Sequence, residues 1–295
     1  MKLGQKLAEP ATLVAYRQEQ PEASWDNMRN DPFYGGQQAY LDIKQTLMQG
    51  QRGLCAYCEI RIVKSLTSDA IYAKRHEQRV EHFHPKEDRN GPVNWALRWS
   101  NLWVVCLGGS QAPPTGTPID LNHYMPPLPD NLSCDAFKDH QIKIGKLPAN
   151  PEGWLLAPNE VTAFPLLFQY APDGTPEPHS TNCALVILTS NYYSDTAMLV
   201  TKTIEHLNLG CPRLNRSRKI ARAQLEKLIQ QTRERAPGAD LQSVLLGLAR
   251  RLFSQHDNSP WPEFFSLIRW RLGEPAEAHL RAIRYGDDQG STTAS

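Results

Sequence analysis

Residues 53–62 read GLCAYCEIRI, and the thiols at Cys55 and Cys58 govern how the rest of the chain is read. A Cys-x-x-Cys knuckle can present two thiolates to one Zn²⁺, and a closed tetrahedral site needs two further ligands. Cys106 and Cys134 are the best placed to supply them. Each lies at the edge of an expected regular element, flanking the loop that follows Gly108. A thioredoxin-like redox pair is the rival, but no strand–motif–helix context of the βαβ kind surrounds Cys55. Plain buried thiols are the third alternative. They are the reading for Cys183 and Cys211, which have no partner motif.

Upstream of the knuckle, a short helix is expected over Thr12 to Gln20. Residues 37–50 (QQAYLDIKQTLMQG) place Tyr40, Ile43, Leu47 and Met48 at helical spacing, with Gly50 as the stop. Downstream, RVEHFH (79–84) alternates as a short strand ended by Pro85. LWVVC (102–106) is an apolar run suited to a buried strand. The stretch from Gly108 to Pro129 is a loop rich in Gly and Pro, and the chain becomes regular again at Ser133. Beyond Pro151 the composition changes. Short strands are expected over 162–189 around the turn Pro172-Asp173-Gly174, with Leu185 to Leu188 the clearest apolar run. Helices are expected over 195–208, 213–235, 240–256 and 261–272, and the tail 286–295 (GDDQGSTTAS) reads as disordered. These shifts divide the chain into 1–50, 51–150, 151–285 and the tail.

The 295 residues are 40% hydrophobic and 21% charged, ordinary for a globular protein. No stretch approaches the roughly 20 apolar residues of a membrane span, and the polar segment Met1 to Pro10 lacks the apolar core of a secretory signal. A soluble, cytoplasmic protein without a membrane partner is expected. Lys and Arg number 32 against 31 Asp and Glu, a net charge of +1. A nucleic-acid ligand would therefore need a local basic patch. Residues 213–235 supply one candidate, with eight basic and two acidic side chains. Such a helix can track phosphates, dock an acidic partner or simply face solvent.

Between the knuckle and Cys134 lies an ordered set of chemistry-bearing residues: Glu81-His82, then Asn101, then Asp135 and Lys138. Phosphodiester hydrolysis needs such a set. Oxygen ligands hold a hard divalent cation at the phosphate, while a neutral imidazole takes a proton from water. Strand alternation places His82 and His84 on one face and Glu81 on the other, so His84 competes with Glu81 as a metal or phosphate contact.

The phrases GLCAYCE (53–59), VEHFHPK (80–86), WSNLWVVC (99–106) and CDAFKDHQ (134–141), in this order, resemble a zinc-bearing HNH endonuclease. The wording is closest to the Septu and retron-associated anti-phage HNH proteins (PtuB-like), with a later echo over 203–218. The motifs cover about a third of the chain. The resemblance implies an α+β fold: a zinc-stapled ββα-metal core over 51–150, N-terminal helices, and a mostly helical C-terminal region over 151–285 that can dock a partner. It implies that His82 is the general base, that Asn101 braces the loop, and that Glu81 and Asp135 hold Mg²⁺ or Mn²⁺. Lys138 would face the phosphate, and Cys55, Cys58, Cys106 and Cys134 would hold structural Zn²⁺. It further implies a nucleic-acid substrate (DNA or RNA), a controlling ABC/SMC-like ATPase (PtuA-like), and a retron reverse transcriptase with its reverse-transcribed DNA. The sequence departs from the family pattern in a long insertion between Cys106 and Cys134 and in Asp at the third position.

Taken singly, these residues have plainer readings. His84-Pro85 suits a surface turn, Asn101 a turn before a strand, and Asp135 and Lys138 a helix-start acid and a solvated face. A non-catalytic zinc module that binds nucleic acid or bridges partners would keep the cysteines but has no need of His82, Asn101 and Asp135. A zinc hydrolase of small molecules would need an open site with His or carboxylate ligands.

Overall fold

The computed structural model describes residues 1–73, 78–112, 115–116, 119–121, 123–255 and 258–287. Most of the expected tail, from 288 onward, lies outside the described residues. Three helices come first: α1 (Ala11–Glu19), α2 (Trp25–Asn30) and α3 (Gly36–Gly50). Ser24 caps α2 by accepting the amide of Asn27 at 3.1 Å. In α3 the buried residues Ala39, Ile43 and Leu47 recur every fourth position, which gives the helix one face for the core.

After the knuckle and α4 (Ser68–Ala73), strands β1 (Gln78–His82) and β2 (Leu102–Cys106) pair antiparallel, with Glu81 opposite Trp103 and His82 opposite Leu102. β2 is buried along its whole length, so its second edge needs partners away from water. Gln51 provides them with its side-chain amide. It accepts from the amide of Val104 at 2.8 Å and donates to the Val104 carbonyl at 2.7 Å. The amide of Ala56, inside the knuckle, also donates to Val104 O at 3.1 Å. Thus the end of α3 and the Cys-x-x-Cys turn are fastened to one edge of β2 while β1 holds the other.

α5 (Cys134–Lys143) follows the long insertion. The neck of that insertion is closed by the amide of Ser133 donating to Gly108 O at 2.8 Å. Gly108 sits at φ +61, and a Cβ there would lie 2.2 Å from Ser133 O, so the closure requires glycine.

The remaining elements are β3 (Phe168–Tyr170), β4 (Pro176–Pro178), α6 (Ser180–Cys183), α7 (Thr196–His206), α8 (Pro212–Arg235), α9 (Leu241–Leu252), α10 (Phe265–Leu272) and α11 (Glu274–Ala282). β3 and β4 form the second two-stranded sheet, around the expected turn. The strand expected at Leu185 to Leu188 does not form: Leu185 is 73% and Ile187 95% exposed. A four-residue apolar run has no edge to pair with here, and the Val186 carbonyl instead accepts from Thr196 Oγ1. The helix expected from 261 begins at Phe265, and α2, α4, α6 and α11 are additional to the expected set.

The architecture is helix-rich with two small sheets. One hydrophobic cluster runs from Met1 and α1 through the β1–β2 pair to Phe264 and Leu267, so it crosses residue 150. A second gathers Leu225, Val244, Phe253, Trp261, Phe265 and Tyr285 among α8 to α11. Trp261, Phe264 and Phe265 are therefore core rather than an exposed surface. Arg213 and Arg218 of the basic stretch are buried too, leaving Arg216, Lys219 and Lys227 on its solvent face. No helix among the described residues is long and apolar enough to cross a membrane.

Candidate metal centre and hydrolytic site

The four cysteines predicted as ligands converge. Cys55 and Cys58 lie in the knuckle, Cys106 ends β2 and Cys134 opens α5, and all four sulfurs lie within 4.8 Å of one another. Three of the separations are 3.8 Å (Cys55–Cys134), 3.7 Å (Cys58–Cys106) and 3.8 Å (Cys106–Cys134). A regular tetrahedron with Zn–S bonds of about 2.3 Å has edges of roughly 3.8 Å. The sulfurs are thus at zinc-site spacing, and none is joined in a disulfide.

The electrostatics agree with that fit. Burial pushes the Cys58 and Cys134 thiols well above their usual range. Hydrogen bonds from Cys134, Cys55 and Cys58 hold Cys106 well below it. Arg213 stands close by, donating to Ser133 Oγ at 2.6 Å. Burial alone would lower its pKa, but the charges of Cys106, Cys211 and Cys58 raise it overall.

One residue beyond Cys134, a second cluster begins. Asp135 is 2% exposed, with Oδ2 lying 3.0 Å from Arg79 Nε, while its Oδ1 is buried with no hydrogen-bond partner. Lys138, one turn along α5, pairs with Glu81 Oε1 and also donates to the His82 carbonyl at 3.2 Å. Tyr57, from the middle of the Cys-x-x-Cys turn, brings a buried hydroxyl that likewise has no partner. Burial, and then the charge of Glu81, pushes the Asp135 carboxyl well above the usual range. Burial also raises Glu81, against the pull of Lys138. Lys138 itself is held in its charged form by Glu81 despite burial. Glu81 and Asp135 are thus matched one to one by Lys138 and Arg79, with one Asp135 oxygen left over. Hard oxygen donors with an orphaned carboxylate oxygen among them are what a small divalent cation would satisfy.

His82 lies on the other side of β1. Its Nε2 sits 3.1 Å from the Ala96 carbonyl, and Trp25 of α2 meets the ring edge-on at 4.7 Å. A carbonyl only accepts, so Nε2 carries the proton and Nδ1 is the basic nitrogen. Burial lowers the His82 pKa to about 4, with Ala96 pulling the other way, which keeps the imidazole neutral at ordinary pH. Among the described residues no hydrogen bond or ion pair joins His82 to Glu81 or Asp135. Lys138 contacts both residues, Glu81 at its carboxylate and His82 at its backbone carbonyl.

Asn101 closes a short 3₁₀ turn (Trp99–Asn101) just before β2. Its Oδ1 accepts from the amide of His84 at 2.7 Å, and its Nδ2 donates to the carbonyls of His84 at 3.0 Å and Trp95 at 2.9 Å. The side chain thereby fixes the turn that follows β1. His84 itself is buried between two carboxylates, Glu152 at 2.7 Å on Nδ1 and Asp88 at 2.9 Å on Nε2, and stacks on Trp95 at 3.9 Å. Both ring nitrogens therefore already have a carboxylate partner within the fold.

Sequence reasoning missed Trp25, Ala96, Arg79, Glu152 and Tyr57. Only Tyr57 carried a signal, its place inside the knuckle. Ala96 acts through its backbone, which side-chain pattern does not report.

No protein-family model matches the chain. It is 35% identical over 224 residues, 74% of this chain and 78% of the relative, to the Escherichia coli protein described as "Retron Ec83 putative HNH endonuclease".

Proposed function

From the premise that the chain belongs to the family of this retron HNH protein, we propose that it is a metal-dependent endonuclease that hydrolyses nucleic-acid phosphodiester bonds. The observation that carries the reading is the end of β1. There a neutral, carbonyl-oriented imidazole and a buried pair of carboxylates flank one strand terminus, with Asn101 fixing the turn beyond it. On this reading β1, β2 and α5 form the ββα-metal core.

His82 Nδ1 takes the proton from the attacking water, while the Ala96 carbonyl holds the ring's tautomer and Trp25 its plane. Asn101 keeps the strand terminus in place. Glu81 and Asp135 would hold Mg²⁺ or Mn²⁺, which when bound stabilises charge on the phosphate and leaving oxygen. Lys138 reaches the same strand end from α5, where its ammonium can stabilise phosphate charge. Cys55, Cys58, Cys106 and Cys134 would hold Zn²⁺, which would fasten the knuckle, β2 and α5 to one another. His84, held at both nitrogens, serves this reading as a fixed part of the turn.

The relative's name supports a retron setting, with a reverse transcriptase and its reverse-transcribed DNA as neighbours. The Septu-like (PtuB-like) wording of the motifs extends the reading to anti-phage defence in the cytoplasm, under a partner ATPase of the ABC/SMC type. A net charge of +1 supports such control, since it gives the chain little non-specific grip on nucleic acid by itself. The test is cleavage of labelled DNA and RNA by the purified chain, with and without its genomic neighbours, in Mg²⁺ or Mn²⁺. Metal-dependent cutting by the wild type that is absent from His82→Ala supports the reading. Equal cutting by the two proteins overturns it.

A further inference from the structure

Between α2 and α3 the chain turns on Asp31, whose Oδ1 accepts from the amides of Phe33 at 2.7 Å and Tyr34 at 3.2 Å. Gly35, at φ +78, then starts α3. This turn presents two consecutive aromatic rings to solvent: Phe33 is 89% exposed and Tyr34 58%. Neither contributes to a hydrophobic cluster. Holding two large rings out of the core on a hydrogen-bonded turn gains nothing for folding.

Beside them opens a cleft of about 630 Å³, lined in part by Tyr16, Gln20, Asp26, Asn27 and Asn30. Three acidic residues line it: two have cations at the rim, and the third, Asp31, is held by the turn amides. Asp26 lies 3.2 Å from Arg29 and 3.9 Å from Lys86, and Glu22 lies 3.8 Å from Arg89. Lys86 and Arg89 belong to the turn that follows β1, so basic groups connect the aromatic pair to the strand end that carries His82.

The cleft and His82 also share their supports. Trp25, between the lining residues Ala23 and Asp26, stacks edge-on against His82. Asn94 Nδ2 donates to the carbonyls of Pro21 at 2.7 Å and Ala23 at 2.9 Å on the rim, and its Oδ1 accepts from the amide of Ala96 at 3.2 Å. Ala96 in turn orients the His82 ring. A group seated in the cleft is thus held in register with the hydrolytic imidazole.

We propose that this cleft is a nucleobase site. An unpaired base of the substrate strand stacks on Phe33 and Tyr34, Asn27 and Asn30 meet its polar edge, and Lys86 and Arg89 take the flanking phosphates. The substrate is therefore single-stranded nucleic acid, or the unpaired part of a folded one. Bases in a duplex are stacked on one another and offer no free face, whereas an unpaired base stacks readily on exposed aromatics. Recognition by stacking also suits a chain whose net charge is only +1. The inference deepens the nuclease reading and rests on it.

The test uses the full chain without added divalent cation, so that cutting does not intrude. The probes are single-stranded DNA and RNA of about 12 nucleotides carrying 2-aminopurine, and the matching duplexes. The wild type is expected to quench the single-stranded probe and to bind it at least about tenfold more tightly than the duplex. Phe33→Ala with Tyr34→Ala is expected to abolish the quenching and weaken single-strand binding about tenfold or more, with duplex binding and melting temperature unchanged. Preference between the DNA and RNA probes identifies the sugar, and either one supports the site. Undiminished quenching and affinity in the double variant, or a wild type that prefers the duplex, overturns it. A wild type that cuts nucleic acid in Mg²⁺ or Mn²⁺ while the double variant behaves identically removes this site alone. A wild type that neither binds nor cuts any nucleic acid removes the nuclease reading with it.

Discussion

Cys134 and Asp135 are neighbours at the start of α5, yet they belong to two clusters of opposite character. The first is four soft sulfurs at near-tetrahedral spacing, closed by the knuckle, β2 and Arg213. The second is an arrangement of hard oxygens in which an Asp135 oxygen and the Tyr57 hydroxyl lack partners. A closed set of thiolates has no position left for substrate and can only fasten elements together. A set with an orphaned oxygen has capacity left for a ligand. On the proposed reading, one step along the helix separates a staple from a working site.

Substitutions at the two positions should break this contrast if it is false. Cys134→Ser should release zinc and destabilise the fold by about 5 kcal/mol or more, since structural zinc sites contribute roughly 10–16 kcal/mol. Against a total stability of about 5–15 kcal/mol, most of the protein should be unfolded or insoluble. Elemental analysis and circular dichroism check this. Well-folded wild type containing no zinc would remove the staple. Asp135→Asn should behave oppositely. Zinc and melting temperature should be retained, or the latter slightly raised, because a buried carboxyl that costs energy to ionise is gone. Cutting should nevertheless fall at least about a hundredfold, with partial recovery in excess Mn²⁺.

The other side of β1 gives the next largest effect. His82→Ala should slow cleavage by about 10²–10⁴ while leaving zinc content and nucleic-acid binding intact. Trp25→Leu separates a positioning role from a structural one. It should lower kcat with little change in KM, and Trp25→Phe should restore most of the rate. A loss confined to thermal stability would make Trp25 ordinary core.

How much of this was visible beforehand depends on what each residue's signal was. Period-four apolar residues announced α3, and an unbroken apolar run announced β2. The cysteines were legible because thiols at knuckle spacing have few uses, even with 79 positions between Cys55 and Cys134. The same reading misjudged Leu185 to Leu188, since an apolar tetrapeptide says nothing about whether an edge awaits it. The pairing of Lys138 with Glu81 was hidden as well, because side-chain partners across α5 and β1 depend on packing rather than spacing. Ala96 acts through its backbone carbonyl and Gln51 through a side-chain amide aimed at the backbone of β2, and composition encodes neither. Alternation did separate Glu81 from His82, and the structure keeps them on opposite faces of the strand.

A smaller effect distinguishes bracing from chemistry. Asn101 makes three hydrogen bonds to backbone groups, two to His84 on the turn after β1 and one to Trp95. Asn101→Ala should cost about 1–3 kcal/mol by leaving buried backbone groups of that turn unpaired. Partial cleavage should remain, with kcat reduced more than KM, because His82 is still present but less well held. Complete loss of cutting without loss of stability would instead place Asn101 at the reacting phosphate.

The smallest predicted effect concerns pH and asks whether His82 is as dry as its contacts suggest. The folded-state pKa is lowered to about 4, against about 6.5 for an unperturbed histidine. Between these values the unfolded chain binds a proton that the folded chain refuses. The stability that comes with a neutral His82 is therefore complete above about pH 6.5 and is lost progressively as the pH falls toward 4. Other carboxyls and histidines titrate in the same window, so the wild type must be compared with His82→Gln, which has no such proton to bind. From pH 7.5 to pH 5 the wild type should lose about 1–2 kcal/mol more than the variant in urea denaturation. A difference that does not change with pH would mean that His82 is protonated as easily folded as unfolded. The ring would then be solvated, the Ala96 contact would not fix its tautomer, and Trp25 would not shield it from water.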